Sequence, residues 1–137
     1  MTAREFLEQY KEAERTVTKL RTEYLEQMEQ VDNIRSALGG DGMPRSGEVS
    51  KKVESQAVKL AEKADELLQA EADALALRQK VFRVVSAVPG DPGDVLHERY
   101  VNLRKWTQVA EILGYSEENC YKLHNKGLDM VEEVIKR

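Results

Sequence analysis

Apolar residues recur along the first part of the chain at alternating spacings of four and three: Phe6, Tyr10, Ala13, Val17, Leu20, Tyr24, Gln27, Val31, Ile34 and Leu38. Nine of these ten positions are apolar or aromatic, and only Gln27 is polar. Sustained over more than four heptads, the pattern predicts a coiled-coil helix. At 1.5 Å per residue it would be ~50 Å long. Thr2 and Glu5 have the spacing of a capping box, so the helix is predicted to start at once. It stops at Gly39-Gly40-Asp41-Gly42. The segment 39–47 reads as a loop, because four of its nine residues are Gly and one is Pro.

A second long helix is predicted from about Glu48 to Val88. Its seam is Val53, Ala57, Leu60, Ala64, Leu67, Ala74, Val81, Val85 and Val88, interrupted by Glu71 and Arg78. Leu68, Leu75 and Phe82 form a second row beside it, so the apolar face is broad enough for more than one partner helix. The short loop implies an antiparallel hairpin. Putting Leu38 opposite Val53 puts Ile34 opposite Ala57, Val31 opposite Leu60, Tyr24 opposite Leu67 and Phe6 near Val85. Large residues then meet small ones.

Pro89-Gly90-Asp91-Pro92 ends the hairpin. Asp91 before Pro92 predicts the N-cap of a third helix, with Val95, Leu96, Arg99, Tyr100 and Leu103 as its buried stripe. A fourth helix is predicted over about 105–113. A fifth runs from Glu117 to near the C-terminus, with Cys120, Leu123, Leu128, Val131 and Ile135 inward. Between them, Gly114 suits a turn that needs positive φ, and Ser116 suits the cap of the fifth helix.

Charge changes the picture in one respect. The chain of 137 residues is 34% charged and 6% aromatic, with a net charge of −4. Residues 1–88 carry 16 acids and 14 bases, and residues 89–137 carry 9 acids and 7 bases. Neither half is basic, which counts against nucleic-acid binding. High charge with few aromatics suits long, solvated helices. The lone Cys120 excludes an intramolecular disulfide framework and fits a reducing cytosol. There is no apolar membrane span, and the charged N-terminus does not read as a signal peptide. The expected location is therefore cytoplasmic. His97 and His124 lack neighbours at metal-ligand spacing, and no catalytic or nucleotide-binding fingerprint is present. No enzyme activity, cofactor or metal is expected.

Arg99-Tyr100, Trp106 with Val109-Ala110, Gly114-Tyr115-Ser116, Leu123-His124 and Leu128 resemble region 4 of bacterial sigma factors. More closely, they resemble small phage and prophage proteins of Gram-positive bacteria, the ArpU- and RinA-like late transcriptional regulators, many of unknown function. Those proteins have a sigma-region-4-like helix-turn-helix behind an N-terminal helical segment, and often a GMPR-like loop, here Gly42-Met43-Pro44-Arg45. The resemblance is specific between Leu96 and Leu128. It implies a DNA-binding transcriptional regulator acting in the bacterial host. Two departures stand out. The recognition helix opens on Glu117-Glu118, where neutral or basic groups are expected, and Gly127 stands where the family pattern suggests Ala.

The expected architecture is all-α: a long antiparallel coiled-coil hairpin (1–88) for oligomerisation, then a three-helix, sigma-region-4-like domain (89–137). On the fifth helix, Tyr121, Lys122, Asn125 and Lys126 face outward. Tyr121 and Asn125 suit base edges, because an Asn amide can pair with adenine. Arg104, Lys105 and Lys122 suit phosphates, and His124 could turn to the backbone or a phosphate. Cys120 is expected in the core. Leu20, Tyr24, Val31, Leu67, Leu68, Leu75 and Phe82 are the candidates for self-association into a homo-oligomer. Expected partners are double-stranded DNA and RNA polymerase. Two other readings stand beside the regulator. One is a small-terminase-like DNA-packaging protein. The other is a protein-interaction module that contacts RNA polymerase without DNA.

Overall fold

The structure, a computed structural model, describes residues 1–39 and 47–137, with side chains over 1–37 and 51–137. Among these residues the chain is all-helical, without strands. Helix α1 spans Ala3–Gly39, α2 Gly47–Ser86, α3 Gly90–Leu96, α4 Trp106–Leu113 and α5 Glu117–Ile135, and a π-helical turn, His97–Val101, follows α3. No helix among the described residues is long and apolar enough to cross a membrane. Of the predicted loop, residues 40–46 lie outside the described residues, Gly42-Met43-Pro44-Arg45 among them. So does the Leu38 side chain, and with it the predicted Leu38–Val53 pairing.

The chain divides into two compact units, one of residues 15–72 and the other of residues 1–14 with 73–137. The division falls within α1 and α2, away from Pro89.

In the unit 15–72, α1 and α2 run antiparallel. Val17 and Val31 are buried, while Leu20, Tyr24, Ile34, Leu60 and Leu67 are half-buried. The polar seam residues are paired. Gln27 Nε2 donates to the Gln56 carbonyl at 3.2 Å and to Gln56 Oε1 at 2.6 Å. Glu71 accepts from Arg21 at 3.4 Å, and Glu23 meets Lys63 at 3.2 Å. Exposed ion pairs of this kind stabilise little. Cross-helix partners scatter about the predicted register: Arg21 meets Glu71 within one position of it, Ile34 shares a shallow hollow with Lys52 and with Gln56, the neighbour of its predicted partner Ala57, and Gln27 reaches Gln56 rather than Ala64. Leu68 is exposed.

In the unit of 1–14 and 73–137, the Thr2–Glu5 capping box forms in both directions: Glu5 N–H donates to Thr2 Oγ1 at 3.1 Å and Thr2 N–H to Glu5 Oε2 at 3.4 Å. Tyr10 is buried against Arg78, the polar residue of the α2 seam, and burial pushes its phenol up. Ala3 N–H donates to Glu132 Oε1 of α5 at 2.6 Å. With neighbours on two sides, the buried face of α1 widens here. Ala3 and Leu7 are buried, and Phe6, the predicted seam residue, is only half-buried. Leu75 and Phe82 are exposed, as a second row beside the seam should be.

The third helix differs from its prediction at both ends. It begins at Gly90 with Pro89 as N-cap, because Gly90 takes a φ of +72° that lets the chain turn two residues early. Asp91 is thus inside the first turn, and its carboxylate accepts the Tyr115 hydroxyl instead. The α-helix ends at Leu96 rather than running to Leu103. The wider π turn buries the adjacent pair Tyr100 and Val101. Leu103 then adopts a φ of +55°, a strained conformation for a non-glycine residue.

Candidate nucleic-acid interface

Helix α4, the turn Gly114–Ser116 and α5 form the candidate site. Gly114 closes α4 in the left-handed conformation, with φ +74° and ψ 28°. Its N–H and that of Tyr115 both donate to the Ala110 carbonyl, at 2.9 and 3.0 Å. Ser116 Oγ accepts the Asn119 N–H at 3.1 Å, capping α5. Lys105 N–H donates to Gln108 Oε1 at 3.0 Å, the reverse half of a capping box at α4. Val95, Val109, Ala110 and Cys120 form the core between the helices, with Trp106, Leu113, Tyr115 and Leu123 packed on it. Burial pushes the Cys120 thiol up, so it is inert core.

No heavy atom would lie within 4 Å of a Cβ at Gly114, so any cost of substitution there is backbone strain alone. Gly114→Val should destabilise by about 1–3 kcal/mol. Gly114→Asn should cost less, because Asn tolerates this conformation. Thermal melts of the two variants check this. Equal melting of Gly114→Val and wild type would show that the turn does not need a left-handed residue.

Gly127 answers a different need. A Cβ there would come 2.9 Å from Leu96 Cδ1 and 3.3 Å from the Pro92 carbonyl oxygen. Helix α5 therefore approaches α3 more closely than alanine allows. This explains why glycine stands where the resemblance suggests Ala.

His124 is not turned to solvent or toward a phosphate. It is buried, with Nε2 2.6 Å from the Tyr100 hydroxyl. The ring stacks on Tyr100 and lies edge-on to Trp106, with centroids 5.6 and 4.9 Å apart. Burial, and then the nearby Arg4 guanidinium, lowers its pKa to about 4. The neutral ring can accept from Tyr100 when its proton sits on Nδ1. Tyr100 is itself pushed up by burial. The aromatic cluster extends to the surface: Trp106 meets Tyr121 edge-on at 4.9 Å, and the Arg99 guanidinium lies 4.8 Å from the Trp106 centroid. Sequence reasoning missed Trp106 and Arg99 as supports for Tyr121. The signal was an aromatic at the first position of α4, whose partner on another helix no local pattern names.

Tyr121, Lys122, Asn125 and Lys126 are all exposed on α5. Lys122 lies 3.7 Å from Glu118, one turn back on the same helix. Asn125 is hydrogen-bonded to His124. Arg104 and Lys105 are exposed and immediately precede Trp106, which touches Tyr121. Arg104 is held in place: its Nε donates to Glu98 Oε2 at 2.8 Å, and its carbonyl accepts from Arg99 Nη1 at 2.9 Å. Glu98 also accepts from Asn102 at 3.2 Å. The face thus combines exposed hydrogen-bonding groups with cations partly offset by Glu98, Glu117 and Glu118. Of the self-association candidates, Val31 is buried and Leu20, Tyr24 and Leu67 are half-buried, whereas Leu68, Leu75 and Phe82 are exposed.

Comparison of the chain with protein-family models, with curated proteins and with solved structures gives no match.

Proposed function

We propose that this chain is a transcriptional regulator of phage or prophage type that binds double-stranded DNA through a sigma-region-4-like helix-turn-helix, with α5 in the major groove. It acts in the bacterial cytoplasm as a homo-oligomer, with RNA polymerase as a further partner. The observation that carries the reading is the pairing of a left-handed Gly114 turn with a Ser116-capped helix whose first three turns expose Tyr121, Lys122 and Asn125. Those turns are the part of a recognition helix that reaches base edges. Tyr121 is held by Trp106, and Asn125 by His124, so neither pays much ordering entropy on binding.

The test is a titration of selected and random duplexes at several salt concentrations. Lys122→Ala should weaken all sequences alike and lower the salt slope by about one unit. Asn125→Ala should cost about 1–3 kcal/mol at the selected site and little on random DNA. Removing both carboxylates, Glu117→Gln with Glu118→Gln, should raise non-specific affinity. One observation favours a second reading: the start of α5 is acidic and engages its own Lys122. Should no duplex bind even at low salt, a module docking a basic protein surface takes the place of the DNA binder.

A further inference from the structure

Tyr121 is an aromatic side chain left 44% exposed on α5, and it is not loose. Its ring meets Trp106 edge-on, with centroids 4.9 Å apart and planes at 66°. Trp106 is held in turn. His124 lies edge-on to it at 4.9 Å, and the Arg99 guanidinium sits 4.8 Å from its centroid. His124 is tied to the buried Tyr100 by a 2.6 Å hydrogen bond, and Arg99 Nη1 donates to the Arg104 carbonyl at 2.9 Å. A continuous line of contacts thus runs from the core to the exposed part of one ring. Edge-on aromatic packing fixes a ring's plane as well as its position. The Tyr121 ring is therefore set before any ligand arrives.

The neighbours of Tyr121 on its own helix narrow what it can meet. Glu117 and Glu118 lie one turn before it, and Asn125 lies one turn after. The adjacent Lys122 lies 3.7 Å from Glu118. A phosphate beside two carboxylates is repelled at short range, so this spot suits an uncharged group. On the floor of the major groove, base edges present hydrogen-bond donors, acceptors and one apolar substituent, the C5-methyl group of thymine. A donor or acceptor placed against an aromatic ring loses water without gaining a partner. A methyl group gives up nothing polar there and buries apolar surface.

We propose that the ring of Tyr121, braced by Trp106, reads the 5-methyl group of a thymine in the major groove. This contact rests on the DNA-binding reading above and names the base that Tyr121 selects. Trp106 acts through Tyr121 and is a positioning residue. Asn125, one turn further on, meets a different base by hydrogen bonds.

The experiment uses the full chain and duplexes enriched for tight binding from a random-sequence pool. Each duplex is resynthesised with deoxyuridine in place of one thymidine at a time, which removes the methyl group alone. At one position the exchange should weaken wild type about fourfold, the contribution of one buried methyl group. Tyr121→Phe should keep that ratio, and Tyr121→Ala should bring it to one. Trp106→Leu should lower it without changing affinity for random DNA. Low salt keeps every variant measurable through its phosphate contacts. The ratio compares two duplexes on one protein sample, so an unfolded fraction cancels. Indifference of wild type to uracil at every position, methyl sensitivity that survives Tyr121→Ala, or its loss in Tyr121→Phe overturns the proposal. Duplex binding without methyl sensitivity sinks this contact alone, whereas no binding to any duplex sinks the DNA reading and the contact together.

Discussion

Truncating Leu7 to alanine should cost about 2–5 kcal/mol of stability, a loss large enough to unfold a marginal domain. Leu7 has no exposed surface at all, and it lies in the compact unit that also holds α3, α4 and α5. Its cavity would open beneath helices on which the candidate interface depends. The single tryptophan, Trp106, sits in the same unit and supplies the readout. Urea denaturation followed by Trp106 fluorescence should shift to a lower midpoint in Leu7→Ala and scarcely move in Leu25→Ala, whose side chain is exposed. A Trp106 transition unmoved by Leu7→Ala would show that the start of α1 does not belong to the core around α4 and α5.

Mild acid should destabilise the same unit through His124. Its folded pKa is lowered from 6.5 to about 4, so the unfolded chain binds the proton more readily than the folded one. Stability is therefore complete above the unfolded pKa. It declines as pH falls from 6.5 and is fully lost to this group by about 4. The groups facing the ring explain the direction: Tyr100 and Trp106 exclude water, Arg4 and Arg99 repel a second positive charge, and only Asn125 favours the charged form. A shift of this size corresponds to roughly 3 kcal/mol. Denaturation midpoints between pH 6.5 and 4.5 should fall with a slope approaching one proton. His124→Gln should flatten that slope while lowering stability at neutral pH, because the ring packed against Tyr100 and Trp106 is lost. A wild-type midpoint constant from pH 6.5 to 4.5 would sink this account.

These two residues also mark where the sequence stopped being legible. Features fixed by one or two neighbours along the chain could be read directly. The Thr2–Glu5 box, the Ser116 cap and the Gly114 turn all depend on contacts within four residues, and all form. Where one partner helix covers α1, its heptads marked Val17 and Val31, which are buried, and Leu20, Tyr24 and Ile34, which are half-buried. They misplaced the face at Leu7, because there α5 also approaches, through Glu132 and the Ala3 amide. Periodicity reports a stripe; it does not report how many neighbours widen that stripe. The π turn was invisible for a related reason. Its extra residue is set by the need to bury both Tyr100 and Val101, a tertiary demand with no local signature. His124 read as polar, and only the tyrosine 24 positions earlier makes its burial tolerable.

The candidate site was legible as a set of exposed residues, but not in its restraints. Tyr121 against Trp106 and Arg104 against Glu98 are contacts across elements. A helical wheel for α5 places Tyr121 outside without showing what steadies it. Likewise, the expectation for Asp91 followed a sound capping rule, and the Gly90 conformation with the Tyr115 hydroxyl redirected it.

The amide–carboxylate link between Ala3 and Glu132 spans 129 positions of the sequence, and that span bears on how the chain is made. On a ribosome adding roughly 5–20 residues per second, the first turns of α1 emerge well before their partners in α5. For most of synthesis Ala3, Leu7 and Tyr10 have no complete surface to bury against, while residues 15–72 can already pair. The hairpin unit thus acquires its contacts first and the unit bearing α4 and α5 closes last, through long-range contacts that are slow to form. Until it closes, the nascent chain presents the apolar start of α1 to chaperones, and to other copies of itself.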